Sequence, residues 1–338
     1  MSTGPTEAGL VRLHGALGSP YSMKMRALMR YRRIPHAWVQ DNAARTALFP
    51  RVKAPVIPLI EFPDGTVEND STHLTRLLEA RQAERSVIPE DPCIAFLALL
   101  IEDFADEWLT KAMFGYRWLA EADQAQMSRW LMFDALPGTG AAAQEAMAQA
   151  FRDRQVGRMG LVGCTAQNFP LIEASTRAVL AALEAHVSDD MFLFGTRPSE
   201  AEFSLFGQLS QLGVDPTPQA LLRRDYPLAY RWLAHIDDLS GVDGNWGGAR
   251  PVVQPILRVI GEVYLPFLVA NAAAVEAGAP EVQVQATGLT LVQPPFRYQV
   301  KCLAALRAAF AALTPDCVGD ILPLLAATDC LPYLETRT

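Results

Sequence analysis

The chain lacks several features that would each have placed it in a functional class. It has no excess of positive charge. Lys and Arg total 29 against 37 Asp and Glu, so the net charge is −8 and the pI is about 5.2. A field of that sign does not attract nucleic acid or anionic lipid, and neither is expected as a partner, although a local basic pocket stays compatible with it. No unbroken apolar run reaches the ~18 residues that a membrane helix needs; the stretch Cys93–Ile101 is much shorter. The N-terminal segment Met1–Glu7 lacks the basic-then-apolar order of a secretion signal. Together these absences predict a cytoplasmic protein.

Metal and disulfide chemistry are also poorly supplied. The five cysteines, Cys93, Cys164, Cys302, Cys317 and Cys330, are scattered, with no Cys-x-x-Cys and none near histidine at metal-ligand spacing. Reduced, buried thiols and no bound metal are the expectation. The histidines are isolated, and His14, on the first strand, reads as structural. There is no internal repeat and no low-complexity tract.

What is present is globular composition, 50% hydrophobic and 20% charged. At 338 residues the chain exceeds one ordinary core. Residues 10–14 read as a strand, 21–33 as a helix ended by Pro35, 37–39 as a strand, and 56–62 as an apolar strand containing Pro58. A tight turn at Pro63-Asp64-Gly65 leads to a hairpin partner at 66–68. Asp70-Ser71 then caps a helix bearing Leu74, Leu77 and Leu78. The polar segment 83–92, bounded by prolines, reads as a linker. Beyond it the periodicity is helical: 93–120, 123–135, 141–157, 170–187, a helix started by the capping box Ser199-x-x-Glu202, then 217–224 and 226–239. Glycine-rich 241–248 opens an extension with a helix near 252–277, a hairpin at 282–292 turning at Thr287-Gly288, and helices at 296–313 and 316–328.

Three positions carry the chemistry. Ser19 stands at a helix start, where free amides and the positive dipole end favour an anion. A thiolate held there becomes a strong nucleophile, but no cysteine is near, so the sulfur must arrive on a ligand. Ile57-Pro58 lies in an apolar strand, which argues for an edge or a cis peptide bond. Asp70-Ser71 opens a second helix. Taken singly, Ser19-Pro20 is an N-cap, Asp70-Ser71 another, and Lys53 a solvated charge.

The order and spacing of these pieces, with Gly195 and the later box, resemble the glutathione transferase superfamily over residues 9–240. The resemblance implies an α/β thioredoxin-like domain with a mixed four-stranded sheet (9–83), an all-helical domain (92–240), and a mainly helical extension (241–338) without counterpart in common members. Glu202 stands where the family usually has Asp. The resemblance implies glutathione as co-substrate: Ser19 matches the catalytic serine, Ile57 and Pro58 present backbone to the cysteinyl part, Asp70 and Ser71 hold the γ-glutamyl end, and Lys53 meets the glycyl carboxylate. Serine in place of the cysteine of omega-like relatives disfavours thiol–disulfide reduction. A small hydrophobic electrophile is the expected second substrate, with Tyr21, Tyr116 and Arg117 as candidate pocket residues. The nearby acidic run Glu102, Asp103, Asp106 and Glu107 reads as a solvated face or an inter-helix bridge. A homodimer is the default for the family. The alternatives are a glutathione-dependent isomerase or lyase, or a non-catalytic binding or assembly protein using the extension.

Overall fold

The computed structural model describes residues 9–335; the N-terminal segment read for a signal pattern lies outside them. Strand β1 (Val11–His14) pairs in parallel with β2 (His36–Val39) and antiparallel with β3 (Leu59–Glu61), which pairs antiparallel with β4 (Val67–Asn69). The sheet order is β2-β1-β3-β4, the mixed four-stranded arrangement that the resemblance implies. Helix α1 (Pro20–Tyr31) follows β1, a short α2 (Asn42–Leu48) follows β2, and α3 (Ser71–Arg81) follows β4. Met25, Leu28 and Met29 of α1 pack with Leu13, Ile60 and Leu74 in a core from which water is excluded.

The register places three loops at one end of the sheet. His14 lies opposite both Val39 and Leu59, and Leu59 lies opposite Asn69. The chain leaving β1, the chain entering β3 and the chain leaving β4 therefore meet there. The stretch 56–62 is strand only at Leu59–Glu61, because Pro58 has no N–H to give to a ladder. The Ile57-Pro58 peptide bond is cis.

The helical part begins with a long rod. Asp91 caps α4 (Pro92–Phe104) by accepting from the N–H groups of Cys93 and Ile94; a π turn (Ala105–Leu109) joins it to α5 (Thr110–Leu119). A helical hairpin, α6 (Glu121–Ala135) and α7 (Ala141–Val156), precedes α8 (Phe169–His186). Helix α9 (Glu200–Leu212) carries the expected capping box, with Glu202 accepting from the Ser199 N–H at 2.8 Å. Gly195, at φ +118°, leaves no room for a side chain: a Cβ there would stand 2.4 Å from the Asn245 carbonyl oxygen. Helices α10 (Pro216–Asp225) and α11 (Pro227–Ile236) complete the bundle.

The extension holds α12 (Val253–Val259), a π turn (Ile260–Tyr264), α13 (Leu265–Ala277), a hairpin of β5 (Val282–Ala286) and β6 (Leu289–Gln293), then α14 (Arg297–Ala311), α15 (Pro315–Ala327) and the short α16 (Leu331–Leu334). It lies along the rod: Phe96 meets Phe310, Phe104 meets Tyr264, and Trp108 meets Phe267, with ring centroids 5.4–5.7 Å apart. One apolar cluster runs from Leu13 to Leu334.

Two expectations are corrected. Cys93 and Cys317 form a disulfide, with Cα atoms 5.6 Å apart. They are 224 residues apart in sequence and meet because α15 packs on α4, which no local spacing reveals. Cys164, Cys302 and Cys330 are free and buried. In addition, Val253–Ala277 is long and apolar enough to cross a membrane by length and composition, with a mean hydropathy of 1.5. Counting unbroken runs misses it. In the fold this helix is mostly buried, with Ile256, Leu257, Ile260, Tyr264 and Leu268 inside.

Candidate functional site

The convergent sheet end brings together Ser19, Pro58 and Asp70. Ser19 is the N-cap of α1: its backbone is extended, and its Oγ accepts the Ser22 N–H at 3.3 Å. Pro20 fills the first helical position, where a missing N–H costs nothing. Ser19 stays partly open to solvent, whereas Ser22 is fully buried, with its hydroxyl unpartnered. Of the two serines at this turn, only Ser19 is open to solvent.

The loop before Ser19 is fixed from the helical side. Arg117, buried, makes a two-nitrogen ion pair with Asp215 at 2.9–3.2 Å and donates to Gln211 Oε1 and to the Gly18 carbonyl, each at 2.9 Å. Each of its three nitrogens donates to a protein group. Tyr116 is likewise internal: its hydroxyl donates to Glu173 at 2.9 Å and its ring meets Phe169 edge-on. Both are corrected from pocket residues to scaffold residues, because each polar tip is satisfied inside the fold. Tyr21 donates to the Asp106 carbonyl at 2.8 Å and ties α1 to the π turn.

Asp70 is the N-cap of α3 and adopts φ +78°, a left-handed conformation that a non-glycine residue holds only when its surroundings demand it. Its Oδ1 accepts from Thr72 and His73 N–H groups at 3.2 and 3.3 Å. Its Oδ2 accepts from the hydroxyl of Tyr298 at 3.1 Å, a residue of the extension 228 positions away that no local pattern links to Asp70. Ser71 is buried, and its hydroxyl donates to Asp106 Oδ2 at 3.1 Å rather than facing the open end. Its backbone N–H lies in the first turn of α3, where no intrahelical acceptor exists. Ile57 is half-buried and Pro58 buried, while Lys53 is exposed with no ion pair among the described residues.

Behind the cradle lies a buried ionic network absent from the sequence reading. Lys24, on α1, donates to Glu102 at 2.6 Å and Asp106 at 2.7 Å. Thr72, beside the α3 cap, donates to the same Glu102 oxygen at 2.7 Å. Burial pulls the Lys24 ammonium down, but the two carboxylates more than reverse this, and it holds its proton harder than a free lysine. Burial pushes Asp106 up to about 6 against the opposing pull of Lys24. The acidic run is therefore an inter-helix bridge and not a solvated face. The detectable signal was Lys24 itself, adjacent to Met25 on the apolar side of α1.

A groove of about 1450 Å³ opens beside the Ser19 loop. Its walls include Leu17, Gly18, Met23, Trp130, Leu131 and Tyr230. Leu131 of α6 lies so close over Gly18 that a Cβ on Gly18 would stand 2.0 Å from it. Leu17 and Trp130 are 40% and 50% exposed, so the groove presents apolar surface to an incoming molecule.

The chain matches the family models "Glutathione S-transferase, N-terminal domain" over residues 13–86 and "Glutathione S-transferase, C-terminal domain" over residues 142–235. No curated protein matches it. Among solved structures it is similar to a glutathione S-transferase from Rhodospirillum rubrum F11 at 16% identity, covering 73% of this chain and 92% of that one, with a TM-score of 0.44. It is similar to the beta-etherase LigF from Sphingobium sp. strain SYK-6 at 18% identity, covering 73% and 98%, with a TM-score of 0.42. It is also similar to the glutathione transferase GSTFuA3 from Phanerochaete chrysosporium at 16% identity, covering 67% and 96%, with a TM-score of 0.47. With both domain models matched in order, on a mixed four-stranded α/β unit followed by a helical bundle, the chain belongs to the glutathione transferase superfamily.

Proposed function

We propose that this chain is a glutathione-dependent transferase. It binds the tripeptide across the sheet end formed by Ser19, Ile57, Pro58, Asp70 and Ser71, and activates the thiolate for attack on a small hydrophobic electrophile. The observation that carries the reading is the register: His14, Leu59 and Asn69 are aligned across the sheet, so Ser19, Pro58 and Asp70 share one end of it. The Ser19 hydroxyl stabilises sulfur as S⁻ by donating to it, and the amide end of α1 adds its dipole. The Ile57 backbone, ahead of the cis bond to Pro58, pairs with the cysteinyl peptide. Asp70 takes the ammonium, the Ser71 N–H takes the carboxylate, and Lys53 closes on the glycyl end. The electrophile enters by the groove whose wall reaches Leu17 and Gly18. The thiolate carries out substitution by default; isomerisation or ether cleavage would use the same anion.

A hydrogen bond to a charged group is worth about 1.5–3 kcal/mol. Ser19→Ala should therefore lower turnover of an activated aryl halide roughly 10- to 100-fold, at about 1.4 kcal/mol per tenfold, while glutathione affinity changes little. Absorbance of the bound thiolate, titrated against pH, reads the step directly. Equal loss of affinity and turnover would reduce Ser19 to a positioning role. A folded chain that is not retained on immobilised glutathione would instead make this a binding or assembly protein.

A further inference from the structure

We infer that Tyr298, from the extension, is a positioning residue of the γ-glutamyl subsite: it fixes the Asp70 carboxylate to receive the ligand's α-ammonium. The inference rests on the glutathione reading above. A carboxylate offers about four lone-pair sites. Thr72 and His73 use two through Oδ1, and Tyr298 uses one through Oδ2, so one acceptor position on Oδ2 stays available. The two amides hold one oxygen and the phenol holds the other, and a carboxylate so held has less rotational freedom to lose when the ammonium arrives.

Tyr298 is not a loose surface side chain that happens to touch Asp70. Buried Asn271 holds the Phe296 backbone by both of its polar groups, donating to the carbonyl at 2.9 Å and accepting the N–H at 2.8 Å. On the other flank, Gln299 donates to Glu107 at 3.2 Å. The segment around Tyr298 is thus anchored on α13 and on the π turn of the rod, and its 41% exposed side chain stands at the rim. Burial and the Asp70 charge both push the Tyr298 phenol up, so it remains a donor throughout the working pH range.

The test is calorimetric binding of glutathione, and of its analogue lacking the γ-glutamyl α-amino group, to the wild-type chain and to Tyr298→Phe, with thermal melts to show that both are folded. Loss of a hydrogen bond to the charged group that holds the ammonium should weaken glutathione about tenfold. The analogue has no ammonium to place, so its affinity should be the same for both proteins. Equal weakening of both ligands would make Tyr298 a structural prop, and unchanged glutathione affinity would give it no role. Tighter binding by Tyr298→Phe would make the phenol a competitor; each of these three outcomes overturns the inference. Failure of the wild-type chain to bind glutathione would refute the functional reading itself, which is a separate result.

Discussion

Replacing Lys24 with methionine isolates the electrostatics behind the cradle. The ammonium is enclosed and sits 2.6 and 2.7 Å from two buried carboxylates. Methionine keeps the aliphatic stem and removes the charge, leaving Glu102 and Asp106 without a cation. Breaking a buried pair from one side costs about 3–5 kcal/mol. A second route gives a similar figure. Taking up one proton at pH 7 on an acid that ionises near 4 when unfolded costs about 1.4 kcal/mol per pH unit, or about 4 kcal/mol. Because that proton is taken up by the native variant, the penalty should shrink by about 1.4 kcal/mol between pH 7 and 6 and level off below pH 6, where Asp106 of the wild type is protonated as well. Urea unfolding of both proteins at pH 5, 6 and 7 measures this slope. The variant Lys24→Met with Glu102→Gln and Asp106→Asn should recover most of the loss, since the unpaired charges are gone. A destabilisation below about 1 kcal/mol at pH 7, or one independent of pH, would refute the electrostatic account.

Two further perturbations probe neighbouring features. Burial, reinforced by the charges of Asp103 and Asp106, pushes Glu107 up to about 8; between pH 4.5 and 8 the unfolded chain ionises there while the folded chain stays protonated, so this group erodes stability as pH rises through that window. Glu107→Gln should therefore gain in melting temperature relative to wild type from pH 5 to pH 8, and a constant difference would contradict the assignment. A Cβ on Gly207 of α9 would stand 2.7 Å from the Pro20 carbonyl and 3.0 Å from the Lys24 Cβ. Gly207→Ala should cost about 1–3 kcal/mol in denaturant unfolding and lower turnover by shifting the start of α1 away from its packed position; unchanged stability would show that α9 has room to move.

The parts of this molecule that were legible from sequence are those with local causes. Ser19 before Pro20, Asp70-Ser71 before a Leu stripe, and Ser199-x-x-Glu202 each announce a helix start through the hydrogen bond they make within a few residues. The Thr287-Gly288 turn announces its hairpin in the same way, with both residues at positive φ. What stayed hidden depends on distance along the chain. The pairs Lys24 with Glu102 and Asp106, Tyr298 with Asp70, and Cys93 with Cys317 form only when the rod, α1 and the extension are stacked. Arg117 and Tyr116 misled for the converse reason: polar tips on a helix near a cleft look available until Asp215 and Glu173 are seen to occupy them.

Phe96, Phe104 and Trp108 each find a partner ring downstream of the glycine-rich stretch 241–248. Cutting the polypeptide there would strip three aromatic faces of their cover at a stroke and hand them to water. The segment after that stretch is thus a roof over the long rod, and the same packing that seats it there carries Tyr298 to Asp70.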